Sequence, residues 1–137
     1  MSQENVALIQ GLYAAFKAGD VPGVLARMSP DIVWNEAENF PYADGNPYCG
    51  PEAILTGVFA RLGTEWDGFA ALPGEFLDAG DSVVALGRYH GTYKATGRAL
   101  DAQFAHVFRV ADGRVVAFQQ YTDTLQAGQV TERRGAG

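Results

Sequence analysis

The sequence contains few of the residues on which many kinds of functional site depend. Cys49 is the only cysteine among the 137 residues, which excludes an internal disulfide and any site built from several thiolates. Histidine occurs only twice, as His90 and His106. The chain has no glycine-rich nucleotide loop, no nucleophile elbow and no zinc-protease motif. We therefore expect no cofactor and no metal site, although His106 and Asp123 could in principle share a metal.

Basic residues and long apolar runs are also scarce. Ten Lys and Arg stand against 16 carboxylates, which gives a net charge of −6 and a pI near 4.7. Such acidity argues against nucleic-acid binding, which needs basic side chains to displace counterions. No run approaches the ~20 apolar residues of a membrane span, and the first residues lack the features of a signal peptide. We expect a small cytoplasmic domain that binds neither nucleic acid nor membrane.

Hydrophobic residues (47%) and glycine (17 residues) are plentiful, and their order predicts helices in the first half of the chain. Apolar residues from Val6 to Phe16 recur at spacings of three and four, which is typical of one buried helix face. The pattern then predicts a short helix after Gly19, a short strand at residues 31–34 and a third helix that opens at Gly50.

The second half of the chain changes to a strand pattern. Three turn signals, the sharpest at Asp112-Gly113, predict about four strands joined as a meander between residues 66 and 124. Helices followed by an antiparallel meander indicate an α+β fold with helices on one face of the sheet. We predict one domain over residues 1–125 and a flexible tail over residues 126–137.

One predicted strand carries a histidine in an otherwise apolar row. Along residues 100–110, alternate positions place His106 between Phe104 and Phe108 on one face. In an apolar pocket the pKa of this imidazole should fall, which leaves a neutral ring that both donates and accepts hydrogen bonds near pH 7. Two interpretations are open, a core histidine satisfied by one hydrogen bond and a residue of a functional pocket.

The last predicted strand adds further polar groups. Alternation places on one face Val115, Ala117, Gln119, Tyr121 and Asp123. If this face points toward the helices, Asp123 is placed to act as a general base, a general acid or a hydrogen-bond acceptor. The alternative is that Asp123 caps the strand end at the surface. Arg88 is a candidate partner for Asp123, because a partly buried guanidinium needs a carboxylate.

Four motifs stand in an order that is characteristic of one known fold. They are Asp31-Ile32-Val33-Trp34, Gly50-Pro51-Glu52-Ala53-Ile54, Phe104-Ala105-His106-Val107-Phe108 and Tyr121-Thr122-Asp123-Thr124. With them, the chain resembles the SnoaL-like, ketosteroid-isomerase-related branch of the nuclear transport factor 2-like superfamily from about residue 4 to residue 125. The motifs are a poor guide to the substrate, because a fold does not determine a function.

The resemblance implies a cone-shaped half-barrel. In this fold a curved, mostly antiparallel sheet wraps around a pocket that about three helices close. The resemblance also implies a homodimer formed through the outer face of the sheet. We expect the apolar side chains of Val116 and Phe118 on that face, where they would need cover.

The resemblance also implies roles for individual residues. Polyketide cyclases of this branch use an aspartate late in the sheet as acid and base, and Asp123 matches that position. A histidine on the preceding strand lines the same pocket, and His106 matches it, while Trp34 and Tyr121 match aromatic positions of the pocket wall. Steroid isomerases use a tyrosine on the first helix as oxyanion donor, for which Tyr13 is available. Their base, an aspartate early in the sheet, has no counterpart here.

These observations lead to a hypothesis of a pocket for a small, largely apolar molecule that contains a carbonyl group or a ring. In the leading version the protein is a cofactor-independent acid–base enzyme, with Asp123 moving the proton while His106 and Tyr121 stabilise negative charge. The residues expected to contact the substrate are Tyr13, Trp34, Arg88, Phe104, Phe108 and Gln119. The bulk of the aromatic side chains suggests a cavity smaller than a steroid needs. The alternatives are a non-catalytic ligand-binding domain and a structural dimer with a filled cavity.

Overall fold

Helices flank a curved sheet in the computed structural model, which describes residues 2–132. The helices are α1 (Ser2–Lys17), α2 (Val21–Leu25), α3 (Pro51–Ile54), α4 (Ala60–Glu65) and α5 (Thr124–Thr131). A π-helical segment, Leu55–Phe59, joins α3 to α4, and a short 3₁₀ turn occupies Pro41–Gly45. The strands are β1 (Met28–Asn35), β2 (Tyr48–Cys49), β3 (Trp66–Ala79), β4 (Ser82–Tyr93), β5 (Arg98–Ala111) and β6 (Arg114–Thr122).

The described residues form one six-stranded sheet in the order β2-β1-β6-β5-β4-β3. Strands β3 to β6 form the predicted antiparallel meander, and β1 joins it by parallel pairing with β6. Helix α1 packs against β3 and β4, so helices cover one face of the sheet. The predicted α+β class and the curved, mostly antiparallel sheet are confirmed. None of the helices in residues 2–132 is both long and apolar enough to cross a bilayer.

Local sequence explains the tightest turn and the bend of the sheet. Asp112 and Gly113 both have positive φ, as a two-residue hairpin turn of the predicted kind requires. Between β3 and β4 the register shifts at Gly74, the residue that follows Pro73, and Pro73 pairs with Gly87. A Cβ atom on Gly87 would collide with the backbone carbonyl of Leu72, so the sheet bends where only glycine fits.

A bulge in β6 reverses the faces expected for the second half of that strand. Arg109 pairs with Ala117, but the next residue, Val110, pairs with Val115, so β6 contains one extra residue at this point. Because side chains alternate with a period of two, one extra residue exchanges the inner and outer faces beyond it. Phe118 is consequently buried and Tyr121 is 57% exposed. The predictions that Tyr121 faces the pocket and that Phe118 faces outward are wrong.

The structure differs from the expected flexible tail over residues 126–131, which belong to α5. The Asp123 side chain caps this helix by accepting the backbone N–H of Gln126 at 3.0 Å. Ala127 and Val130, three positions apart, are buried against the sheet. A cap and two buried apolar side chains stabilise a short helix that composition alone did not indicate. Residues 133–137 of the predicted tail lie outside the described residues.

Candidate active site

A cavity of about 50 Å³ lies between the inner face of the sheet and helices α1 and α4. Most of its wall is apolar or aromatic. The ionisable and amide side chains among its lining residues are Tyr13, Glu36, Tyr89, His106 and Gln120. An apolar pocket with a few convergent polar groups is the usual form of a small-molecule site. Sites for drug-sized ligands span roughly 300–1,000 Å³, so this cavity holds only a very small molecule at its present volume.

Glu36 supplies the carboxyl group of the cavity. It directly follows β1, where alternation turns Ile32 and Trp34 inward and therefore turns Glu36 inward as well. The side chain is 4% exposed, and the indole N–H of Trp34 donates to its Oε2 at 3.0 Å. Burial raises the pKa of Glu36 to about 7, against the opposing effects of the Trp34 hydrogen bond and the charge of Arg61. Glu36 can therefore take up or release a proton near neutral pH.

The side chain of Asn46 holds the backbone of Glu36 from both sides. Its Oδ1 accepts the Glu36 backbone N–H at 2.9 Å, and its Nδ2 donates to the Glu36 carbonyl oxygen at 2.8 Å. These two bonds take the place of strand pairing, which ends with β1 at Asn35. The carboxyl group is thus attached to a fixed backbone although it lies beyond the strand.

His106 lies on the inner face of β5, surrounded by aromatic rings. Its ring stacks on that of Phe104, with centroids 4.0 Å apart, and the ring of Phe118 approaches it at 5.0 Å. Burial lowers the pKa of His106 to about 3, so the imidazole is neutral near pH 7 and has one N–H donor and one acceptor nitrogen. Hydrogen bonds join Nδ1 to the Tyr13 hydroxyl at 2.5 Å and Nε2 to the Tyr89 hydroxyl.

Gln120 connects this group to the backbone beside Glu36. The Ala37 backbone N–H donates to Gln120 Oε1 at 2.9 Å, and Gln120 Nε2 donates to the Tyr89 hydroxyl oxygen at 2.9 Å. Burial raises the pKa of Tyr13 and of Tyr89 well above the usual value, and the charge of Glu36 adds to the rise at Tyr89. Both phenols therefore stay protonated and can donate hydrogen bonds.

The structure brings together some of the residues that the sequence suggested. Tyr13, Trp34, His106 and Phe108 line the cavity. Phe104 does not line it and instead supports the imidazole from behind. The burial predicted for one face of β5 is confirmed from Leu100 to Val110.

Four other residues lie elsewhere. Asp123 is exposed and caps α5, and with Tyr121 it lines a separate surface depression. Arg88 lies on the outer face of β4, where its Nε donates to Asp101 Oδ1 at 2.9 Å. Gln119 is half-buried and borders a second depression outside the cavity. The expectation that Asp123, Tyr121 and Arg88 meet His106 is wrong, because the β6 bulge and the alternation of β4 place them on the other side of the sheet.

Three polar residues of the cavity were not among the site residues expected from the sequence: Glu36, Tyr89 and Gln120. Glu36 had a usable signal, because it continues the alternation of Ile32 and Trp34 by two residues. Tyr89 had one too, since it stands an even number of residues after the apolar Ala85 on β4. Gln120 had none, because the bulge that turns it inward leaves no trace in the hydrophobic pattern. Within residues 2–132, no three Asp, Glu, His or Cys side chains are close enough to hold a metal ion.

Comparison with known families agrees with this architecture. The sequence pattern of the family described as the SnoaL-like domain matches residues 9–118. Because the match spans most of the chain, the protein belongs to the SnoaL-like domain family, and the resemblance inferred from its motifs is confirmed.

Solved structures show the same fold. An NTF2-like protein from Burkholderia thailandensis E264 is 39% identical with a TM-score of 0.88, over 93% of this chain and 96% of that chain. An NTF2-like protein of unknown function from Burkholderia pseudomallei K96243 is 30% identical with a TM-score of 0.84, over 93% and 96%. TerC, co-crystallised with polyporic acid, is 27% identical with a TM-score of 0.82, over 93% and 97%. No curated protein matches the chain.

Proposed function

We propose that the cavity is the active site of a cofactor-independent enzyme that moves a proton on a small, largely apolar carbonyl compound. Isomerisation, cyclisation, dehydration and hydrolysis are the reaction types open to such a site. The observation that carries the proposal is Glu36, a buried carboxyl group whose pKa is raised to about 7 in a cavity that also contains phenol hydroxyls. Glu36 replaces Asp123, the residue that the sequence suggested, as the acid and base.

Glu36 has the properties that proton transfer requires. A catalytic group is most effective when its pKa lies near the working pH, since both protonation states are then accessible. Trp34 binds only Oε2, and no group in residues 2–132 hydrogen-bonds Oε1. Oε1 is thus the atom that we assign to the substrate. Positioned proton transfer of this kind contributes typically 10²- to 10⁴-fold to a rate.

The phenol hydroxyl groups would stabilise the substrate oxygen. A carbonyl oxygen gains negative charge when a proton leaves the adjacent carbon, and a buried hydroxyl donor stabilises that charge more strongly than water does. His106 is not the acid, because its pKa of about 3 leaves it neutral. Its role in the proposal is to hold Tyr13 and Tyr89 in place.

The comparisons support a small-molecule ligand. TerC, which shares the fold over almost the whole chain, was crystallised with the small molecule polyporic acid. The present cavity of about 50 Å³ requires either a smaller ligand or a widening of the pocket on binding. Phe16, Phe59 and Leu62 line the cavity from the helices and are only partly buried, so widening would involve these side chains.

The experiment is a thermal-shift screen of small cyclic ketones, lactones and conjugated carbonyl compounds, followed by product analysis of every stabilising compound. We expect at least one compound to be converted, and Glu36→Gln to lower its turnover 10²- to 10⁴-fold while binding is retained. Asp123→Asn is the matched control, since Asn also caps helices, and it should leave turnover unchanged. Full activity of Glu36→Gln on a confirmed substrate would contradict the proposal.

A non-catalytic ligand-binding domain is the second candidate function. It is favoured by the small cavity. It is also favoured because every polar side-chain atom that is fully shielded from solvent in residues 2–132 has a hydrogen-bond partner, as a purely structural network would also show. Compounds that stabilise the protein but are recovered unchanged would support this candidate.

We also propose a homodimer formed through the outer face of the sheet. Phe118 does not contribute to this face, since its side chain is buried. Support comes instead from Val33 on β1 and Tyr121 on β6, which are exposed on the outer face of neighbouring strands. A monomer in sedimentation experiments at micromolar concentration would contradict this part of the proposal.

A further inference from the structure

Buried hydrogen bonds link Ala37, Gln120, Tyr89, His106 and Tyr13 in that order, and we call them the hydrogen-bond chain. Its Tyr13–His106–Tyr89 part has one more donor proton than its two bonds use. Tyr13 and Tyr89 each have one hydroxyl proton, and neutral His106 has one N–H. The two bonds that join them use two of these three protons. One phenol proton is therefore always left for a ligand, at Tyr13 or at Tyr89, and the tautomer of His106 decides which.

One end of the chain has a fixed direction. A backbone N–H can only donate, so the Ala37 N–H, 2.9 Å from the Gln120 side chain, identifies the atom that it contacts as the amide oxygen. The amide nitrogen of Gln120 then necessarily faces the Tyr89 hydroxyl, at 2.9 Å, and donates to it. The Tyr89 oxygen is thus an acceptor toward Gln120.

The donor direction at Gln120 determines the direction of the next two hydrogen bonds. A phenol that already accepts one hydrogen bond is best satisfied by donating its own proton to the other neighbour, which here is His106 Nε2. The proton of His106 then lies on Nδ1 and is donated to the Tyr13 oxygen. Gln120, Tyr89 and His106 each accept one hydrogen bond and donate one in the same direction, so each bond polarises the next, and Tyr13 accepts the last one. In the opposite arrangement Tyr89 would accept two bonds and Tyr13 would accept none.

We propose that Gln120 is a positioning residue that sets the direction of donation in the hydrogen-bond chain, from Ala37 toward Tyr13. His106 then carries its proton on Nδ1, and Tyr13 presents its free hydroxyl proton to the ligand. The ligand oxygen then binds beside α1, at the Tyr13 end of the cavity, and not beside Tyr89. The use of the free proton rests on the proposed function, whereas the tautomer of His106 does not.

The direct test is the ¹⁵N NMR spectrum of the imidazole in the wild-type protein near neutral pH. Protonated and unprotonated ring nitrogens differ widely in chemical shift, so the spectrum identifies the nitrogen that bears the proton. We expect a protonated Nδ1 and an unprotonated Nε2 for His106. A protonated Nε2 would overturn the proposal. Exposed His90 gives the reference signals of an imidazole that takes no part in these buried hydrogen bonds.

A single near-isosteric substitution should reverse the direction. In Gln120→Glu an ionised carboxylate can only accept, so it would accept both the Ala37 N–H and the Tyr89 hydroxyl proton. His106 would then donate from Nε2 to Tyr89, and Tyr13 would donate to Nδ1. We expect the two ring-nitrogen shifts to exchange at alkaline pH, with ionisation verified from the ¹³C shift of the new carboxyl group. Retention of the wild-type tautomer beside an ionised carboxylate would contradict the proposal.

Gln119→Glu is the matched control, because it places the same group on the neighbouring residue outside the cavity, and it should leave the His106 signals in place. The wild-type spectrum needs no variant, so a poorly folding Gln120→Glu protein does not weaken the test. The outcomes also separate the two proposals. The expected tautomer without turnover of any compound would refute the proposed enzyme activity and support the proposed direction of the hydrogen bonds. The opposite tautomer with turnover would support the enzyme activity and refute the direction of the hydrogen bonds.

Discussion

The two faces of the sheet carry the same pair of functional groups in opposite surroundings. On the inner side, Glu36 and His106 are buried in the aromatic cavity. On the outer side, His90 Nε2 lies 3.8 Å from Asp101 Oδ1, and both side chains are exposed to solvent beside Arg88. The inner carboxyl group has its pKa raised by burial, whereas the hydrogen bond from Arg88 lowers the pKa of Asp101. A carboxyl and an imidazole group are therefore no sign of a site until their burial is known.

The physical cause of the contrast is desolvation. Removing water penalises the charged form of a group, so a buried acid holds its proton and a buried imidazole loses one. At the surface, water and salt screen the same charges and leave little net energy in their pairing. The chemistry of this protein thus depends on the side of the sheet to which each side chain points.

Alanine substitutions on β6 should show the largest difference between the two faces. Phe118 is buried and stacks on Trp34 with ring centroids 3.7 Å apart, so Phe118→Ala should cost about 3–5 kcal/mol of unfolding free energy. Within one protomer, Tyr121→Ala on the outer face should stay within about 0.5 kcal/mol, because its proposed contacts lie in the dimer interface. Urea unfolding of both variants measures the difference. Equal losses would contradict the assignment of faces beyond the bulge.

Stability should depend on pH through the inner pair. Glu36 has a folded-state pKa of about 7 against 4.5, so its contribution is fully present below pH 4.5 and is lost as pH rises through 7. His106 has a folded-state pKa of about 3 against 6.5, so its contribution is present above pH 6.5 and is lost as pH falls through 3. The two slopes oppose each other between pH 4.5 and 6.5, where we expect the highest stability.

The Glu36→Gln substitution isolates one of these slopes. Relative to the wild type, this variant should gain unfolding free energy as pH rises from 4.5 to 7, by about 1.4 kcal/mol per pH unit. Urea unfolding at several pH values measures the gain. Asp101→Asn should show no such gain, because the pKa of Asp101 is lowered from 3.8 and lies outside this window. Parallel pH curves for Glu36→Gln and the wild type would show that Glu36 is not protonated by burial.

Asp123 should matter for the stability of α5 and not for catalysis. Removal of the cap in Asp123→Ala should cost about 1 kcal/mol, whereas Asp123→Asn should cost little, since both Asp and Asn are good caps. Thermal unfolding and amide hydrogen exchange of α5 measure this effect. A large loss of turnover in Asp123→Asn would show that this residue takes part in catalysis.

The smallest effect should come from the outer ion pair. Arg88 and Asp101 are both more than half exposed, so Arg88→Ala should leave thermal stability and turnover indistinguishable from wild type. A substantial effect of this substitution on turnover would show that the outer face takes part in function.

Prediction from sequence succeeded where local pattern and tertiary packing agree. The alternation of β5 correctly placed His106 among buried phenylalanines, and Asp112-Gly113 correctly marked a hairpin. It failed at β6, where the bulge at Val116 and Ala117 depends on how that strand pairs with both β5 and β1. Two of the five polar cavity residues, His106 and Tyr13, were therefore predicted, and the bulge turned Gln120 inward against the expected alternation.

By itself the sequence determined the α+β class, the meander, the inner face of β5 and the scarcity of strong metal ligands. These properties follow from hydrophobic periods, turn residues and composition, which act over a few residues. Only the tertiary structure decided which carboxyl group shares the cavity with His106. Burial and hydrogen bonding arise between residues far apart in the chain, such as Ala37, Gln120 and Tyr89, and one extra residue in a strand is enough to move Asp123 out and Gln120 in.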